Sequence, residues 1–552
     1  MTFNKVATRR VQKVVTRRVQ KVITRRVQYL AIDGFILTAV LVVTVLLGTG
    51  YYLSGRWVNF PFIDDYQTIV EFLNHTQTDS FAHTFGYTIW QPHNEHRIVF
   101  TRLVAAAYAY LSPDGVRFDI LSASGLLFRG LILWSLYQQW QRMPIRTPGL
   151  NYWSIAGFAV IVLIITSGRD MENLLSATCA LQNIPVVAWA LLAFLAASRN
   201  QWTAAWVLGG LATLTSGNGI FVPMLLSVER LFNRRWVTGS LALVVTVIAY
   251  GIYRSGMHVV IDWHQLPQMV PKFFAFQGSL LYLHYYLHEY SVPYSLPTVL
   301  AGLVYTAVGL ETIWSYLNKR ISLFYPAVFA FIWLTALSVA MLRPGVLESR
   351  FAIYSMVLTA VVYGRLTDYC QLYRPNWLRV MHPIALSAAL IFFVQSFVVH
   401  DRTVERQYRT DLAAHYTSQH INKRFSQRFD PLLRTGLFST AHIDRMTKRI
   451  FRYSSHGVNP QPALLGTYAD GYYYVRTPLR SKFLIFKQGH NQVALPSDSH
   501  EDVSPSTTFL MPSWLPKGCY TIEIVANDGI WPTSLSITNT GEQLLQSPNG
   551  CK

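Results

Sequence analysis

The sequence predicts a polytopic α-helical membrane protein that carries an outward-facing β-rich domain at its carboxyl end. Three observations carry this reading. Apolar runs of near membrane length recur through residues 31–400, Lys and Arg cluster on alternate loops between them, and past residue 461 the chain turns to short aromatic and β-branched runs broken by Gly and Pro. Of the 552 residues, 51% are hydrophobic and 14% charged, against a charged share of about 25% in soluble domains, which excludes a soluble protein. The formal charge of +19 does not argue for nucleic acid, because the basic residues flank apolar runs on one predicted side, where topology and anionic lipid account for them.

Residues 1–30 form a basic cytoplasmic segment. Within it, residues 9–28 repeat the unit Arg-Arg-Val-Gln-Lys-Val-Val-Thr with one Val-to-Ile change. Two helical turns take about 7.2 residues, so an eight-residue period drifts by about 80° per unit and the Val positions spiral instead of forming a stripe. Two readings stand: attraction to an anionic leaflet, worth about 1 kcal/mol per basic residue, or topological orientation alone. The basic side chains from Lys5 to Arg26 hold this end in the cytoplasm.

Spans of near membrane length are expected at about 35–53, 118–138, 151–167, 175–197, 237–254, 298–315, 323–342, 351–364 and 381–400. Between the fourth and fifth, the apolar runs 203–214 and 220–229 are short and are broken by Ser216-Gly217-Asn218-Gly219. Two half-depth helices meeting there leave backbone amides to be received by protein or a watery cavity, which implies a cavity open to the outside. Counting this pair gives about 11 transmembrane helices. The predicted inner turns hold Arg142 and Arg146, Arg199, Arg230 with Arg234 and Arg235, Lys319 with Arg320, and Arg365, Arg374 and Arg379, so one orientation satisfies them all.

The outer side then collects a large first loop, 54–117, a short turn at Arg169-Asp170-Met171-Glu172, the aromatic-rich stretch 255–297 with Lys272, His284 and His288, and the segment Arg343–Arg350. Residues 401–460 are expected as an extracytoplasmic helical linker, and 461–552 as a β-sandwich, with runs such as Tyr520-Thr521-Ile522-Glu523-Ile524-Val525 supplying the strands. That domain suits either sugar binding or a packing role. Of the 4 cysteines, Cys179 and Cys370 read as free thiols and Cys519 and Cys551 as a plausible disulfide in the outer tail. Their spacing excludes a Cys-based zinc site. The first apolar run is long and lacks a small-residue cleavage site, so it is expected to stay as an anchor.

Chemistry-bearing residues concentrate in the first outer loop. Asp64 and Asp65 follow the apolar anchor Phe60-Pro61-Phe62, and Trp90-Gln91-Pro92-His93-Asn94-Glu95-His96-Arg97 closes the same loop. A carboxylate at the headgroup boundary can take a proton from a hydroxyl nucleophile. Adjacent side chains diverge, so one acid is expected to face a cavity while the other caps the helix that begins near Tyr66. His93, Glu95, His96 and Arg97 precede an apolar stretch of 14 residues, short for a span and read as an interfacial helix whose amino end favours anions such as phosphate. His-x-x-His also permits a metal, though no third ligand is evident, and interfacial anchoring by Trp90 and Arg97 is the plainer alternative. Arg169 and Arg350 stand at the outer ends of spans, where a guanidinium fork either grips phosphate bidentately or pairs with Glu348 or Asp170. No cofactor is implied, and a divalent metal lacks support.

A first-loop acid, interfacial helices in that loop, about eleven spans and an outer carboxyl-terminal domain together resemble the C-superfamily of integral-membrane glycosyltransferases, and most of all the bacterial members that use a polyprenyl-phosphate-linked sugar to modify O-antigen and the cell envelope. The resemblance covers roughly residues 30–400. It implies an inverting transfer in the bacterial inner membrane, with the carboxyl-terminal domain periplasmic. One of Asp64 and Asp65 would be the general base on the acceptor hydroxyl, and cationic groups such as Arg350 would steady the departing lipid phosphate. The implied partners are a polyprenyl-phosphate sugar donor, a glycan or lipid-linked acceptor, membrane lipid, a donor-making synthase and a flippase. Contiguous acids depart from the commoner spaced pair of acids in this family. Two other classes stay open: a transporter or flippase for a lipid-linked sugar, and a non-catalytic scaffold presenting the β-domain.

Overall fold

The fold is built on helices whose apolar surfaces have no β alternation, joined by loops that cap them. The computed structural model describes residues 36–420, apart from 37, 55–56, 62–63, 95, 143–150, 256–265, 282–290, 293–295 and 343–346, and then Leu437 and most of 461–547. The amino-terminal repeat and, Leu437 excepted, the linker beyond residue 420 lie outside the described residues.

The helices are α1 (Thr38–Ser54), α2 (Glu71–Thr78), α3 (Phe81–Gly86), α4 (Val99–Leu111), α5 (Phe118–Trp140), α6 (Asn151–Ile165), α7 (Glu172–Leu175), α8 (Ala177–Ala197), α9 (Trp202–Thr215), α10 (Phe221–Phe232), α11 (Trp236–Arg254), α12 (Leu266–Gln277), α13 (Leu296–Leu317), α14 (Phe324–Leu342), α15 (Ala352–Tyr373) and α16 (Pro375–His420). Among the described residues six are long and apolar enough to cross a membrane: α5, α8, α11, α13, α14 and the Asn376–Val399 part of α16. That makes the chain an integral membrane protein by length and composition. The other expected spans fall short for visible reasons. α9 and α10 are 14 and 12 residues long, and α15 has 22 residues but includes Arg365 and Asp368, while α1 and α6 have 17 and 15 residues among the described ones and are each bordered on the amino side by residues outside them. α16 runs unbroken for 46 residues, from the last apolar run into the segment expected as a helical linker, because no Gly or Pro stands between Ile384 and His420 to stop it.

α8 is the axis of the bundle, buried along 89% of its apolar window. Its Pro185 cannot donate to the carbonyl one turn back, that of Leu181. The Thr101 hydroxyl on α4 donates to that carbonyl at 3.3 Å, so the bond the proline removes is replaced from a neighbouring helix. Glycine lets helices meet closely where it is needed: a Cβ at Gly302 on α13 would lie 2.0 Å from the Phe274 carbonyl oxygen of α12.

The 54–117 loop is pinned to the start of α5 and to α7. The Asn59 side-chain oxygen accepts from the Phe118 amide at the start of α5 at 2.9 Å, and the Trp57 indole donates to the Leu174 carbonyl at 2.6 Å. Two short strands, β1 (Ser291–Val292) and β2 (Leu347–Glu348), pair antiparallel and tie the segment ahead of Arg350 to the stretch before α13.

The carboxyl-terminal region is an antiparallel sheet region. One sheet orders as β11-β10-β9-β5-β6, from Leu544–Gln546, Ile530–Asn539, Gly518–Ala526, Ser481–Gln488 and Asn491–Pro496; the other orders as β3-β4-β8-β7, from Leu464–Thr467, Tyr473–Thr477, Val503–Leu510 and Asp498–His500. Alternation in β9 buries Tyr520, Ile522 and Ile524 on one face. They join Val475 of the second sheet in a common apolar cluster. Cys519 is disulfide-bonded, and Cys551 lies outside the described residues. Cys179 and Cys370 are free thiols.

Candidate functional site

Asp65 and Asp64 begin a five-residue π-helical turn, Tyr66–Val70, and they part at once. Asp65 is buried, with 1% of its surface exposed, and reaches the amino end of α8. Its Oδ1 accepts from the Thr178 amide at 2.7 Å and the Ser176 hydroxyl at 3.2 Å, while Oδ2 accepts from the Ala177 amide at 3.3 Å. Ser176 takes the Cys179 amide at 3.3 Å. The first three amides of α8, which have no partner within the helix, are therefore all satisfied, and a negative charge stands at the positive end of the helix dipole. The sequence reading had one acid cap its own helix near Tyr66; Asp65 makes no side-chain cap there and caps α8 from across the fold.

Asp64 stays partly open, with 27% of its side chain exposed. The Arg350 guanidinium donates to its Oδ2 at 3.1 Å. Arg350 also lies 3.7 Å from Glu172 Oε1 and 3.7 Å from the Cys179 sulfur. The Ser349 hydroxyl donates to the other oxygen of Glu172 at 3.0 Å. His93 Nε2 approaches Asp64 Oδ1 at 3.9 Å. Residues 64, 93, 172 and 350 thus converge on one partly buried point, from the first outer loop, the start of α7 and the turn before α15. Among the described residues the carboxylates of Asp64 and Glu172 face the Arg350 guanidinium there. Of the partners expected for Arg350, the side chain of Glu348 lies outside the described residues, and Asp170 is taken instead by Arg129.

That last pair is fully buried and belongs to a network behind the site. Arg129 binds Asp170 and donates to the Ile165 and Ser167 carbonyls, each at 3.2 Å, which end α6. Asn173 donates to Asp170 at 3.0 Å and to the Arg350 carbonyl at 2.7 Å, and accepts from Asn183 of α8 at 2.9 Å. The backbone that carries Arg350 is held by these bonds, which no spacing in the sequence announces.

The remaining predicted site residues are scattered. His93 and His96 bond to each other's backbones at 2.7 and 2.9 Å across a tight turn, with Asn94 at φ 51° supplying the left-handed residue such a turn requires. The imidazoles go separate ways: His93 to Asp64, and His96 Nδ1 to the Gly217 amide at 3.3 Å. Among the described residues no three metal-binding side chains converge. Glu95 lies outside the described residues, as do His284 and His288, and Lys272 is buried. Arg97 turns away from the acids. It donates to the Trp90 and Tyr253 carbonyls, the latter at 2.7 Å, and to the Ser255 carbonyl at 2.5 Å, capping the carboxyl end of α11. Arg169 is not at a rim. It is fully buried, its guanidinium 4.6 Å above the Phe392 ring.

Beside the charged cluster lies a cleft of about 690 Å³, the open solvent at its mouth included, at the Gly-Asn-Gly turn between α9 and α10, where the short helices implied one. Phe351, next to Arg350, and Asn183 line it and connect it to the network; Asp64 and Arg350 do not line it. No protein-family model, curated protein or solved structure matches the chain.

Proposed function

We propose that the protein is an inverting membrane glycosyltransferase of the C-superfamily type, moving a sugar from a polyprenyl-phosphate donor to an extracytoplasmic glycan or lipid-linked acceptor. In this reading the chain crosses a bacterial plasma membrane about eleven times, the shorter helices included, with its amino terminus inside and its β-sandwich outside, and draws its donor from a synthase and a flippase. The observation that carries it is the pairing of a half-open carboxylate, Asp64, with a cation, Arg350, drawn from 286 residues away and backed by the Asn173 network.

The chemistry follows from that pair. The donor phosphate competes with Asp64 for the Arg350 guanidinium, and Glu172 at 3.7 Å keeps the guanidinium in place as it turns. Asp64 is then released to accept the proton of the acceptor hydroxyl. The hydroxyl oxygen bonds to the anomeric carbon on the face opposite the phosphate, the bond from that carbon to the phosphate oxygen breaks, and its electron pair leaves with the prenyl phosphate beside Arg350. The arriving phosphate adds negative charge beside Asp64 and Glu172, and a proton on His93, 3.9 Å from Asp64, offsets part of it. Loss of a donor that steadies a developing anion costs about 3–4 kcal/mol of barrier, or about 10²–10³ in rate.

The test is transfer of labelled sugar from a polyprenyl-phosphate donor to cell-envelope acceptor in proteoliposomes. Asp64→Asn is expected to lower transfer by about a hundredfold or more while donor binding persists, and Arg350→Gln to weaken donor binding. Unchanged transfer in Asp64→Asn overturns the reading. The meeting of two short helices, α9 and α10, at a Gly-Asn-Gly turn favours a second reading, a flippase for a lipid-linked sugar. That reading requires donor to cross the bilayer unconsumed and to do so equally in Asp64→Asn.

A further inference from the structure

The cleft between α10, α11, α14 and α15 has a chemistry of its own. Its floor is the Ser216–Asn218 turn, held open by a mesh of buried polar groups. Asn218 uses both amide hydrogens on its neighbours, at 3.2 Å to Thr335 and 2.8 Å to the Tyr354 hydroxyl. Its side-chain oxygen has no donor among the described residues. Ser216 accepts from Gln182 at 3.4 Å, and its own hydroxyl proton has no acceptor among the described residues. These groups are aimed in advance and have bonding capacity left over. Across from them stand the rings of Tyr250, Tyr253 and Phe351. Amides and hydroxyls opposite aromatic faces suit a polyhydroxylated ring with one apolar face.

The charge is one-sided. Among the described residues no carboxylate lines the cleft, whereas Arg254 does. Arg254 is partly buried, ends α11, and has no ion pair or hydrogen-bond partner among the described residues. Its position is fixed indirectly: Arg97 binds the carbonyls of Tyr253 and Ser255 on either side of it, and the Tyr253 hydroxyl accepts from the Arg97 amide at 2.7 Å. A guanidinium so held, with no counter-ion among the described residues, next to a polar floor calls for an anion attached to the ring.

We infer that this cleft is a binding site for a sugar phosphate, the ring lying between the Asn218 turn and the aromatic wall and the phosphate at Arg254. The ligand chemistry has two sources, a free sugar phosphate and the headgroup of a lipid-linked one. Under the proposed transfer reaction the occupant is the acceptor, since the donor phosphate is taken by Arg350; the binding itself does not depend on that reaction.

The experiment titrates the full chain, in nanodiscs of neutral phosphatidylcholine, with glucose 1-phosphate, inorganic phosphate and a prenyl-phosphoglucose, reading heat of binding. Glucose 1-phosphate or prenyl-phosphoglucose is expected to saturate a site that Arg254→Gln weakens about tenfold, as loss of a charge-assisted hydrogen bond requires. Arg254→Lys should restore most of the loss, and Asn218→Asp, which keeps the shape and adds a repelling charge, should weaken binding as well. Arg350→Gln should leave the binding of glucose 1-phosphate unchanged. Dependence on Arg254 supports the site whichever probe shows it: binding of the lipid probe alone names a lipid source, and binding of both names the soluble group as sufficient. The inference is overturned if neither probe binds, if inorganic phosphate binds as tightly as the sugar phosphates, or if Arg350→Gln abolishes the binding of glucose 1-phosphate and Arg254→Gln does not. None of these outcomes alters the transfer result for Asp64→Asn, so the two failures are separable.

Discussion

Replacing the two neighbouring acids one at a time should separate structure from chemistry. Asp65 is buried and accepts from the Ala177 and Thr178 amides and from Ser176. In Asp65→Ala those two amides lose their acceptor inside the bundle, where each unsatisfied donor costs about 1–3 kcal/mol. The expected loss is about 4 kcal/mol, above the roughly 2 kcal/mol upper range of exposed cap substitutions, because water does not replace the carboxylate. Asp65→Asn keeps one oxygen for Thr178 but turns an NH2 group toward a donor, for an expected loss of about 2 kcal/mol. Asp64 pairs with Arg350 at a point where 27% of the acid and 18% of the arginine remain exposed, so Asp64→Asn should change stability by less than about 1 kcal/mol. The assay is reversible unfolding in mixed micelles followed by far-ultraviolet circular dichroism, run beside the transfer assay. The reasoning is refuted if Asp64→Asn unfolds as readily as Asp65→Asn, or if Asp65→Ala costs under about 1 kcal/mol.

Three further outcomes are expected. Arg129→Met should cost about 3–5 kcal/mol by leaving Asp170 charged and buried without its partner, and adding Asp170→Leu should recover most of that in the same unfolding measurement. Gly219→Ala would set a Cβ 1.9 Å from the Ala212 carbonyl oxygen, so the turn must shift, and glucose 1-phosphate binding in the cleft should fall while the Arg350 site keeps its donor affinity. At Asp79, burial raises the carboxyl, but hydrogen bonds from Thr78, His83 and His75 outweigh it and hold it below its ordinary 3.8. A carboxylate lowered on folding contributes stability that is present above its unfolded value and lost as pH falls through the folded one. Hydrogen exchange should therefore find the α2–α3 junction protected at pH 5 and opening below about pH 4, with Asp79→Asn opening it at both.

How much of this was legible in the sequence follows from which interactions are local. Membrane runs, basic turns and strand alternation are local patterns, and the helices and the antiparallel sheets follow them. The Gly-Asn-Gly turn is local too, and the cleft lies there. Span count is less readable, because α15 hides Arg365 and Asp368 in an otherwise apolar run, and α9 and α10 are judged by length alone. The site was half legible. Asp64 and Arg350 were both singled out, but their contact joins positions 286 apart and has no spacing to betray it. Arg97 and Arg169 misled for one reason: a guanidinium near a span end looks the same in sequence whether it meets a ligand, a helix terminus or a ring. Asn173 and Asn183 were passed over because single amides carry no pattern.

Contiguity of the two acids has a physical use. The backbone at Asp65 is right-handed helical, φ −60° and ψ −29°, and on such a backbone neighbouring side chains point about 100° apart. One residue can therefore be driven into the bundle while the next stands at its surface. Asp65, bonded to two amides of the central helix, fixes the turn; Asp64 inherits that fixity without any buried bond of its own. On the other side, Asn173 and the β1–β2 pairing fix the chain around Arg350. The Asp64–Arg350 contact is thus made between two separately anchored segments, each rigid enough to hold its charge when the other is drawn away. A pair of acids separated by one residue would lie about 200° apart on the same backbone, and no single turn would then serve both the α8 terminus and Arg350.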